Sequence, residues 1–161
     1  MQSSRGRASR QATIRIRAVT ASDAAAWLRM RCELWPDGTQ SEHREEIDRF
    51  LAGRAREPQA VLIAMGATGH AAGFVELSIR PCAEGCRTDR IAYLEGWYVA
   101  PAARGRGIGR ALVEAAEQWG RKQGCNEFAS DVQPDNRGSI AAHRALGFED
   151  VGIVRCFRKT L

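Results

Sequence analysis

The chain contains 161 residues, of which 44% are apolar and 27% are charged, and its formal net charge at pH 7 is +5. This length suits one domain with a hydrophobic core and excludes a second domain of ordinary size. The longest apolar runs, such as residues 60–65, are far shorter than the roughly 20 residues that span a bilayer, so the composition also excludes a membrane-spanning protein.

Residues 1–12 are basic and polar, and they lack the apolar stretch of a secretory signal. We therefore expect a disordered basic tail over residues 1–12 and one folded domain over residues 13–161. The five cysteines are an odd number in apolar or loop contexts, which predicts free thiols and a cytoplasmic location. No second pair of ligands complements Cys82 and Cys86 with metal-like spacing, so no metal site is predicted.

Apolar periodicity and turn residues divide the rest of the chain into alternating strands and helices. The first half of the chain is predicted to contain a strand over 13–18, a helix from the capping residues 20–23 to about 34, a helix that opens at Ser41 and reaches about 52, and a hairpin of strands 60–65 and 72–80 around a turn at 67–70. A polar loop over 81–90 follows. The second half is predicted to contain a strand over 91–99, a helix over about 109–123, a strand over 125–131, a helix over 139–146 and one or two strands over 150–159. This alternation predicts an α/β or α+β sheet domain with its first two helices on one face.

A glycine-rich loop, Arg104-Gly-Arg-Gly-Ile-Gly109, joins a predicted strand to a predicted helix. Such a loop lets main-chain N–H groups converge on an anion at the start of the helix, and a pyrophosphate is the natural ligand. Arg104, Arg106 and Arg110 would add charge-assisted hydrogen bonds. The pattern GxxxxGK[ST] is absent and the glycines follow GxGxG rather than GxGxxG, which excludes a Walker nucleotide site and a Rossmann site. A plain glycine turn or an RNA-binding patch remains the alternative.

The segments Tyr93-Leu-Glu-Gly-Trp-Tyr-Val-Ala-Pro101 and 104–109 resemble the strand and loop of the GCN5-related N-acetyltransferase superfamily. Asn136 and Ala145-Leu-Gly-Phe148 occupy positions where that superfamily has an Asn and an LGF element. The resemblance implies an N-acetyltransferase domain over 13–161. It also implies a mixed, mostly antiparallel sheet that is splayed between its fourth and fifth strands, flanked by about four helices, with acetyl-CoA in the opening.

The same resemblance assigns the acetyl-CoA contacts. The pyrophosphate would lie on the loop residues Arg104, Gly105, Arg106, Gly107, Ile108, Gly109 and Arg110. The thioester carbonyl would accept a hydrogen bond from a backbone N–H near Tyr98 or Val99, and Asn136 would lie beside the pantetheine.

Within the superfamily, the chain looks like the chromosomal-type aminoglycoside 6′-N-acetyltransferases. The fragments that carry this likeness are Glu33-Leu-Trp-Pro36, Ser78-Ile-Arg80, Tyr93-Leu-Glu-Gly96, Trp119-Gly120, Lys122 to Cys125, Ala129-Ser-Asp131, His143 to Phe148 and Phe157-Arg-Lys159. The likeness implies an enzyme that acetylates the 6′-amine of aminoglycosides by direct attack on the thioester, and a homodimer.

An aminoglycoside is a polycation, so its site needs carboxylates even in a basic protein. Glu95 and Asp131 are the two predicted catalytic and substrate-binding carboxylates. Glu95 would hold the reactive ammonium and take its proton directly or through a water, and Asp131 would orient another amine. Trp35 resembles the family tryptophan whose ring packs on a sugar, although a core aromatic at the end of the first helix is an alternative interpretation.

Three positions depart from the family pattern. His143 stands where many members have a tyrosine that protonates the CoA thiolate, so His143 either replaces it or serves only packing. Cys82 and Gly152 stand where related enzymes carry an aromatic and an acidic substrate-lining residue.

Two other functions stay open from the sequence. The first is an N-acetyltransferase of the same fold that acts on a polyamine, a peptide N-terminus or a small metabolic amine. The second is a non-enzymatic acetyl-CoA- or RNA-binding module. The basic residues suggest nucleic-acid binding only weakly, because they concentrate in the tail and the 104–110 loop, so no nucleic-acid partner and no membrane partner is predicted.

Overall fold

The computed structural model describes residues 14–66 and 69–161. The predicted tail over 1–12 lies outside the described residues, as does part of the predicted turn at 67–70. The elements are β1 (Arg15–Ala18), α1 (Ala24–Leu34), α2 (Gln40–Leu51), β2 (Ala60–Met65), β3 (Ala71–Arg80), β4 (Ile91–Val99), α3 (Ile108–Lys122), β5 (Glu127–Ser130) and α4 (Arg137–Ala145), with short 3-10 turns at Ala21–Asp23 and Pro101–Ala103. Each predicted element up to α4 is therefore present, with ends that shift by a few residues.

The five strands form one sheet in the order β1-β2-β3-β4-β5. The first three pairings are antiparallel and the β4–β5 pairing is parallel, which confirms the predicted mixed sheet. β5 pairs only with residues 91–94 of β4, so the second half of β4 diverges from it. The predicted opening between the fourth and fifth strands is confirmed.

A β-bulge interrupts the pairing of β3 with β4. Glu76 lies opposite Gly96 and Leu77 lies opposite Leu94, which leaves Glu95 without a partner residue. A bulge kinks its strand and redirects the extra side chain. The bulge therefore decides where the Glu95 carboxylate points.

Helices cover both faces of the sheet. α1 and α2 pack Trp27 and Ile47 against Phe74 and Tyr98. On the opposite face, α3 presents an apolar stripe, in which Leu112, Val113 and Ala116 lie over β2, β3 and β4. Each large buried aliphatic side chain stabilises the fold by about 1.5–3 kcal/mol, so the two clusters fix the sheet between its helices.

The start of α2 differs from the sequence prediction. Thr39, rather than Ser41, caps the helix: its hydroxyl accepts from the Glu42 N–H at 3.2 Å, and the Glu42 carboxylate accepts from the Thr39 N–H at 2.8 Å. This reciprocal capping box places the helix start two residues earlier than a cap at Ser41 would.

The predicted strand or strands over 150–159 are wrong. Residues 151–161 form neither helix nor strand, and five large apolar side chains are exposed: Val151, Ile153, Val154, Phe157 and Leu161. A strand needs a neighbouring strand for its hydrogen bonds, and this segment pairs with none of the described strands of its own chain. Residues 151–161 therefore have the alternating apolar pattern of a strand, but no described part of the chain buries their apolar side chains. Among the described residues no helix is both long and apolar enough to cross a bilayer.

Candidate active site

The loop between β4 and α3 has the backbone geometry of an anion site. Gly105 and Gly107 have φ of +72° and +79°, in the left-handed region that favours glycine. Gly107 caps α3, and the first N–H groups of an α-helix have no partner within the helix. Arg104 Nε donates to the Val99 carbonyl at 3.0 Å, which ties the loop to the end of β4. The loop residues therefore fit a pyrophosphate, because free N–H donors and the helix dipole face the same side.

The loop lies beside the opening of the sheet. A Cβ added at Gly109 would be 3.0 Å from Trp97 Cζ2, so the start of α3 packs closely on β4. Tyr98 and Val99 pair with Phe74 and Gly73 of β3 on one side and have no partner in β5 on the other. The residues predicted to contact acetyl-CoA, 98, 99 and 104–110, therefore lie next to one another at the opening between β4 and β5.

Trp35 lies on β4 at the other side of the site. A Cβ on Gly96 would come within 2.6 Å of Trp35 Cη2, so the indole packs directly on the backbone of β4. The Arg31 guanidinium lies 5.0 Å from the indole centroid, and His43 Nε2 donates to the Trp35 carbonyl at 3.0 Å. Trp35 is only half-buried, and it lines a cleft of about 560 Å³ together with Glu95. Trp35 also ends α1 and packs partly against the core cluster that contains Trp27 and Phe74, so its substrate-binding role stays a prediction.

Glu95 is held by an arginine that the sequence analysis did not single out. Arg80 Nε donates to Glu95 Oε1 at 2.9 Å, and Arg80 Nη2 donates to Oε2 at 2.5 Å. The same guanidinium lies 3.5 Å from the centroid of the Tyr93 ring. Tyr93 in turn donates its hydroxyl proton to Asp131 Oδ1 at 2.7 Å. Burial and this bond to Asp131 raise the pKa of Tyr93, so the phenol remains a donor at neutral pH.

The two predicted carboxylates thus belong to one network, yet they line two clefts. Glu95 opens into the cleft of about 560 Å³, whereas Asp131 lines a second cleft of about 350 Å³ with Ser130, His143 and the C-terminal segment. The Arg80–Tyr93 pair connects the two carboxylates. Only register across β3, β4 and β5 creates this connection, so no sequence motif could have indicated it.

A buried acidic residue forms the floor of the larger cleft. Glu76 is 2% exposed, accepts from Trp27 Nε1 at 2.8 Å and lies 3.1 Å from Arg31 Nε. Burial raises the pKa of Glu76 to about 7, against the opposing effects of Arg31 and Trp27. Sequence reasoning missed this residue, although a glutamate within the apolar run of β3 was a usable signal.

His143 and Asn136 make contacts that organise α4. The Ser139 carbonyl accepts from His143 Nδ1 at 2.8 Å, and His143 Nε2 forms a second hydrogen bond with the Ser130 hydroxyl, 3.1 Å away. The His143 ring also packs edge-on against Trp97 and Phe148. Asn136 Oδ1 accepts from the Ser139 N–H at 3.0 Å and caps the helix, which leaves its amide N–H groups free of that contact. Cys82 and Gly152 are both exposed.

The chain matches the model of the acetyltransferase (GNAT) family over residues 25–148. With the splayed sheet and the glycine loop, this match shows that the chain belongs to the GNAT acetyltransferase family. No group of three or more His, Cys, Asp or Glu side chains suited to a metal ion occurs in the described part of the chain.

Among curated relatives, the chain is 58% identical to an aminoglycoside N(6′)-acetyltransferase type 1 of Klebsiella aerogenes, over 91% of this chain and 96% of the relative. It is 42% identical to the enzyme of the same name from Stenotrophomonas maltophilia, over 91% of this chain and 93% of that one. Among solved structures, AAC(6′)-Iy in complex with CoA superposes with a TM-score of 0.85 at 35% identity, over 92% of this chain and 96% of that chain. The same enzyme with the bisubstrate analogue CoA-S-monomethyl-acetylneamine gives a TM-score of 0.84 at 36% identity, over 92% of this chain and 99% of that chain.

Proposed function

We propose that this chain transfers the acetyl group of acetyl-CoA to the 6′-amine of aminoglycoside antibiotics. The observation that carries the proposal is the position of Glu95. Its carboxylate leaves β4 at the bulge, one residue after the last pairing with β5, and lines the same cleft as Trp35. This position supports a role for Glu95 as the proton acceptor for an amine that attacks the thioester. The similarity to the Klebsiella aerogenes and AAC(6′)-Iy enzymes supplies the acceptor class.

Acetyl-CoA is bound mostly by main-chain groups. The N–H groups at the start of α3 hold the pyrophosphate, and the side chains of Arg104, Arg106 and Arg110 surround it with positive charge. The thioester carbonyl accepts a hydrogen bond from the backbone near Tyr98 or Val99, where β4 has left β5. The free amide of Asn136 lies along the pantetheine arm.

The acceptor amine arrives as an ammonium ion and must lose a proton before it attacks. Glu95 takes that proton, directly or through a water, which contributes about 10²–10⁴-fold to the rate. The neutral nitrogen then adds to the thioester carbon, and the C–S bond breaks as the tetrahedral intermediate collapses. The second proton of the nitrogen passes, directly or through water, to the departing CoA sulfur. No acyl-enzyme forms. Cys125 is a buried thiol, and no hydrogen bond joins it to a basic side chain among the described residues.

Asp131 and Trp35 bind the rest of the acceptor. Asp131 holds a second ammonium group through charge, while the Tyr93 hydroxyl occupies one of its oxygens. Trp35 offers a flat apolar surface to a sugar ring, held in place by Arg31 and His43.

The test is a measurement of CoA release with two aminoglycosides. Kanamycin A carries a 6′-amine, and paromomycin carries a 6′-hydroxyl among many other amines. Turnover with kanamycin A alone is expected. Turnover with both compounds would show that another amine is acetylated. Turnover with neither compound, while acetyl-CoA still binds, would contradict the antibiotic assignment, and polyamines and peptides would be the next acceptors to test.

We propose in addition that the protein is a cytoplasmic homodimer joined through residues 151–161. Ile153 and Phe157 are 83% and 89% exposed, which is unfavourable for a segment in water. β5 is an edge strand of four residues, so its outer side is open to a strand from a second copy. All five cysteines are free thiols, which supports a reducing compartment.

Sedimentation analysis of the full chain tests the dimer. The wild type should sediment as a dimer and Phe157→Asp as a monomer, because the charge cannot be buried between copies. Thr160→Asp is the control, since it adds the same charge to the same segment without removing an apolar side chain. A monomeric wild type would contradict the dimer and leave the acetyl transfer untouched.

A further inference from the structure

Arg80 occupies a fixed place between the two carboxylates of the site. It is the last residue of β3, and both oxygens of Glu95 accept from its guanidinium, at 2.9 and 2.5 Å. Its flat face lies 3.5 Å from the centroid of Tyr93, whose hydroxyl is bonded to Asp131. A side chain with a two-point ion pair along one edge and an aromatic ring against its face has little freedom to turn.

We infer that Arg80 is a positioning residue for acetyl transfer, one that sets the orientation of the Glu95 carboxylate toward the acceptor amine. This inference rests on the proposed function. A guanidinium fork fixes the plane of a carboxylate and uses one lone pair on each oxygen, so the remaining lone pairs point in set directions. Because Glu95 stands at a bulge without a partner residue, the strand pairing alone does not provide this alignment.

The charge of Arg80 gives the inference a distinctive kinetic signature. A positive side chain in contact with Glu95, beside the site, opposes the binding of a polycation, since like charges repel. Removal of Arg80 should therefore leave the affinity for the acceptor unchanged or improve it, while proton transfer to a misaligned Glu95 becomes slower. Simple damage to the pocket would instead weaken binding and lower the rate together.

Steady-state kinetics of Arg80→Gln with kanamycin A test this split. The expected result is a kcat lower by about 10-fold to 100-fold with KM equal to or below the wild-type value. Arg80→Lys keeps the charge and loses the fork, so it should remain nearly as slow as Arg80→Gln. A wild-type kcat in either variant, or a KM that rises as kcat falls, would overturn the inference.

A double-mutant cycle with Glu95→Gln shows whether Arg80 acts through Glu95. In the Glu95→Gln background, Arg80→Gln should change kcat by less than about twofold, because the group that it positions is already neutral. Independent multiplication of the two effects would overturn the positioning role. A wild-type rate in Glu95→Gln alone would contradict the proposed function of Glu95, whereas a slow Glu95→Gln with a normal Arg80→Gln would contradict only the inference about Arg80.

The matched control is Arg121→Gln. Arg121 also pairs with a carboxylate, that of Glu117 one turn earlier on α3, but the pair lines neither of the two clefts that hold Glu95 and Asp131. Its loss should leave kcat and KM at wild-type values. Unchanged acetyl-CoA affinity and unchanged thermal midpoint in Arg80→Gln would show that the donor site and the fold remain intact.

Discussion

The indole of Trp35 and the backbone of Gly96 are in direct contact, and no larger residue at position 96 would permit it. A methyl group there would lie 2.6 Å from Cη2 and 2.8 Å from Cζ2 of the ring. The bulge of β4 thus sets the position of Glu95, and the next residue, Gly96, provides the surface on which the Trp35 indole packs.

Gly96→Ala should weaken aminoglycoside binding, because the indole must move away from β4. We expect a rise in KM for kanamycin A of about tenfold, which corresponds to about 1.4 kcal/mol, and an unchanged affinity for acetyl-CoA. Steady-state kinetics and calorimetric titration with acetyl-CoA measure the two effects. Gly66→Ala is the control, since a Cβ there makes only ordinary contacts of 3.6 and 3.7 Å. Equal effects of the two variants on KM would contradict the role of Trp35.

Asp131→Asn should affect the acceptor more than the chemistry. The asparagine oxygen still accepts from Tyr93, but the negative charge that holds an ammonium is lost. The expected result is a KM for kanamycin A raised by about tenfold with kcat lowered by less than about threefold. Asp89→Asn, in the exposed loop before β4, should change neither value. A large fall in kcat without a change in KM would give Asp131 a part in the chemical step.

His143→Phe tests whether the histidine protonates the CoA thiolate. Both ring nitrogens contact groups of the protein itself, Ser139 and Ser130, so we expect a packing role. The variant should lose about 1 kcal/mol of unfolding free energy and keep kcat within about threefold, with the same pH–rate profile. A hundredfold loss of kcat together with the loss of the alkaline limb of that profile would assign the proton donor to His143.

Gly107→Ala should weaken acetyl-CoA binding. An alanine pays about 1–2 kcal/mol to keep a left-handed backbone, and relief of that strain moves the N–H groups away from the pyrophosphate. We expect a Kd for acetyl-CoA raised about tenfold by calorimetric titration. Gly53→Ala carries the same backbone penalty, at φ +67° and with no atom within 4 Å, but it lies at the end of α2. It should lower stability without changing that Kd.

Glu76→Gln should change how stability depends on pH. Burial raises the pKa of Glu76 from 4.5 to about 7, so its contribution to stability is complete below about 4.5 and is lost as the pH rises through 7. At about 1.4 kcal/mol per pKa unit, the loss approaches about 3 kcal/mol. Glutamine does not titrate, so urea unfolding should favour the variant over the wild type more at pH 8 than at pH 5. The same difference at both pH values would contradict the raised pKa of Glu76.

The sequence was sufficient for what depends on neighbouring residues. Periodicity predicted every strand and helix up to α4, and the glycine pattern at 104–109 predicted a loop in which Gly105 and Gly107 take left-handed conformations. The prediction that Trp35 binds the substrate came from a family resemblance rather than from physics, and it stays a prediction.

What the sequence left out depends on strand register. The contacts of Arg80 with Glu95 and of Tyr93 with Asp131 join residues on different strands, and a register shift of one residue would have put these side chains on the opposite face. In residues 151–161, by contrast, the sequence predicted a strand that the structure does not contain. Their alternating pattern is typical of a strand, but such a pattern does not show which strand, of this chain or of another, would pair with it. None of the described strands of this chain pairs with residues 151–161.

In the proposed mechanism the loop at Gly105 and Gly107 would contribute mainly main-chain groups, whereas the acceptor side would consist of the Trp35, Glu95 and Asp131 side chains. Selection for a new drug would therefore meet two unequal halves of one enzyme. A single nucleotide change can replace a side chain, so successive substitutions in β4 and α1 can change the range of antibiotics that the enzyme modifies. Point mutations do not alter backbone amides in this way, so few single substitutions would give resistance to an inhibitor that competes for the pyrophosphate site.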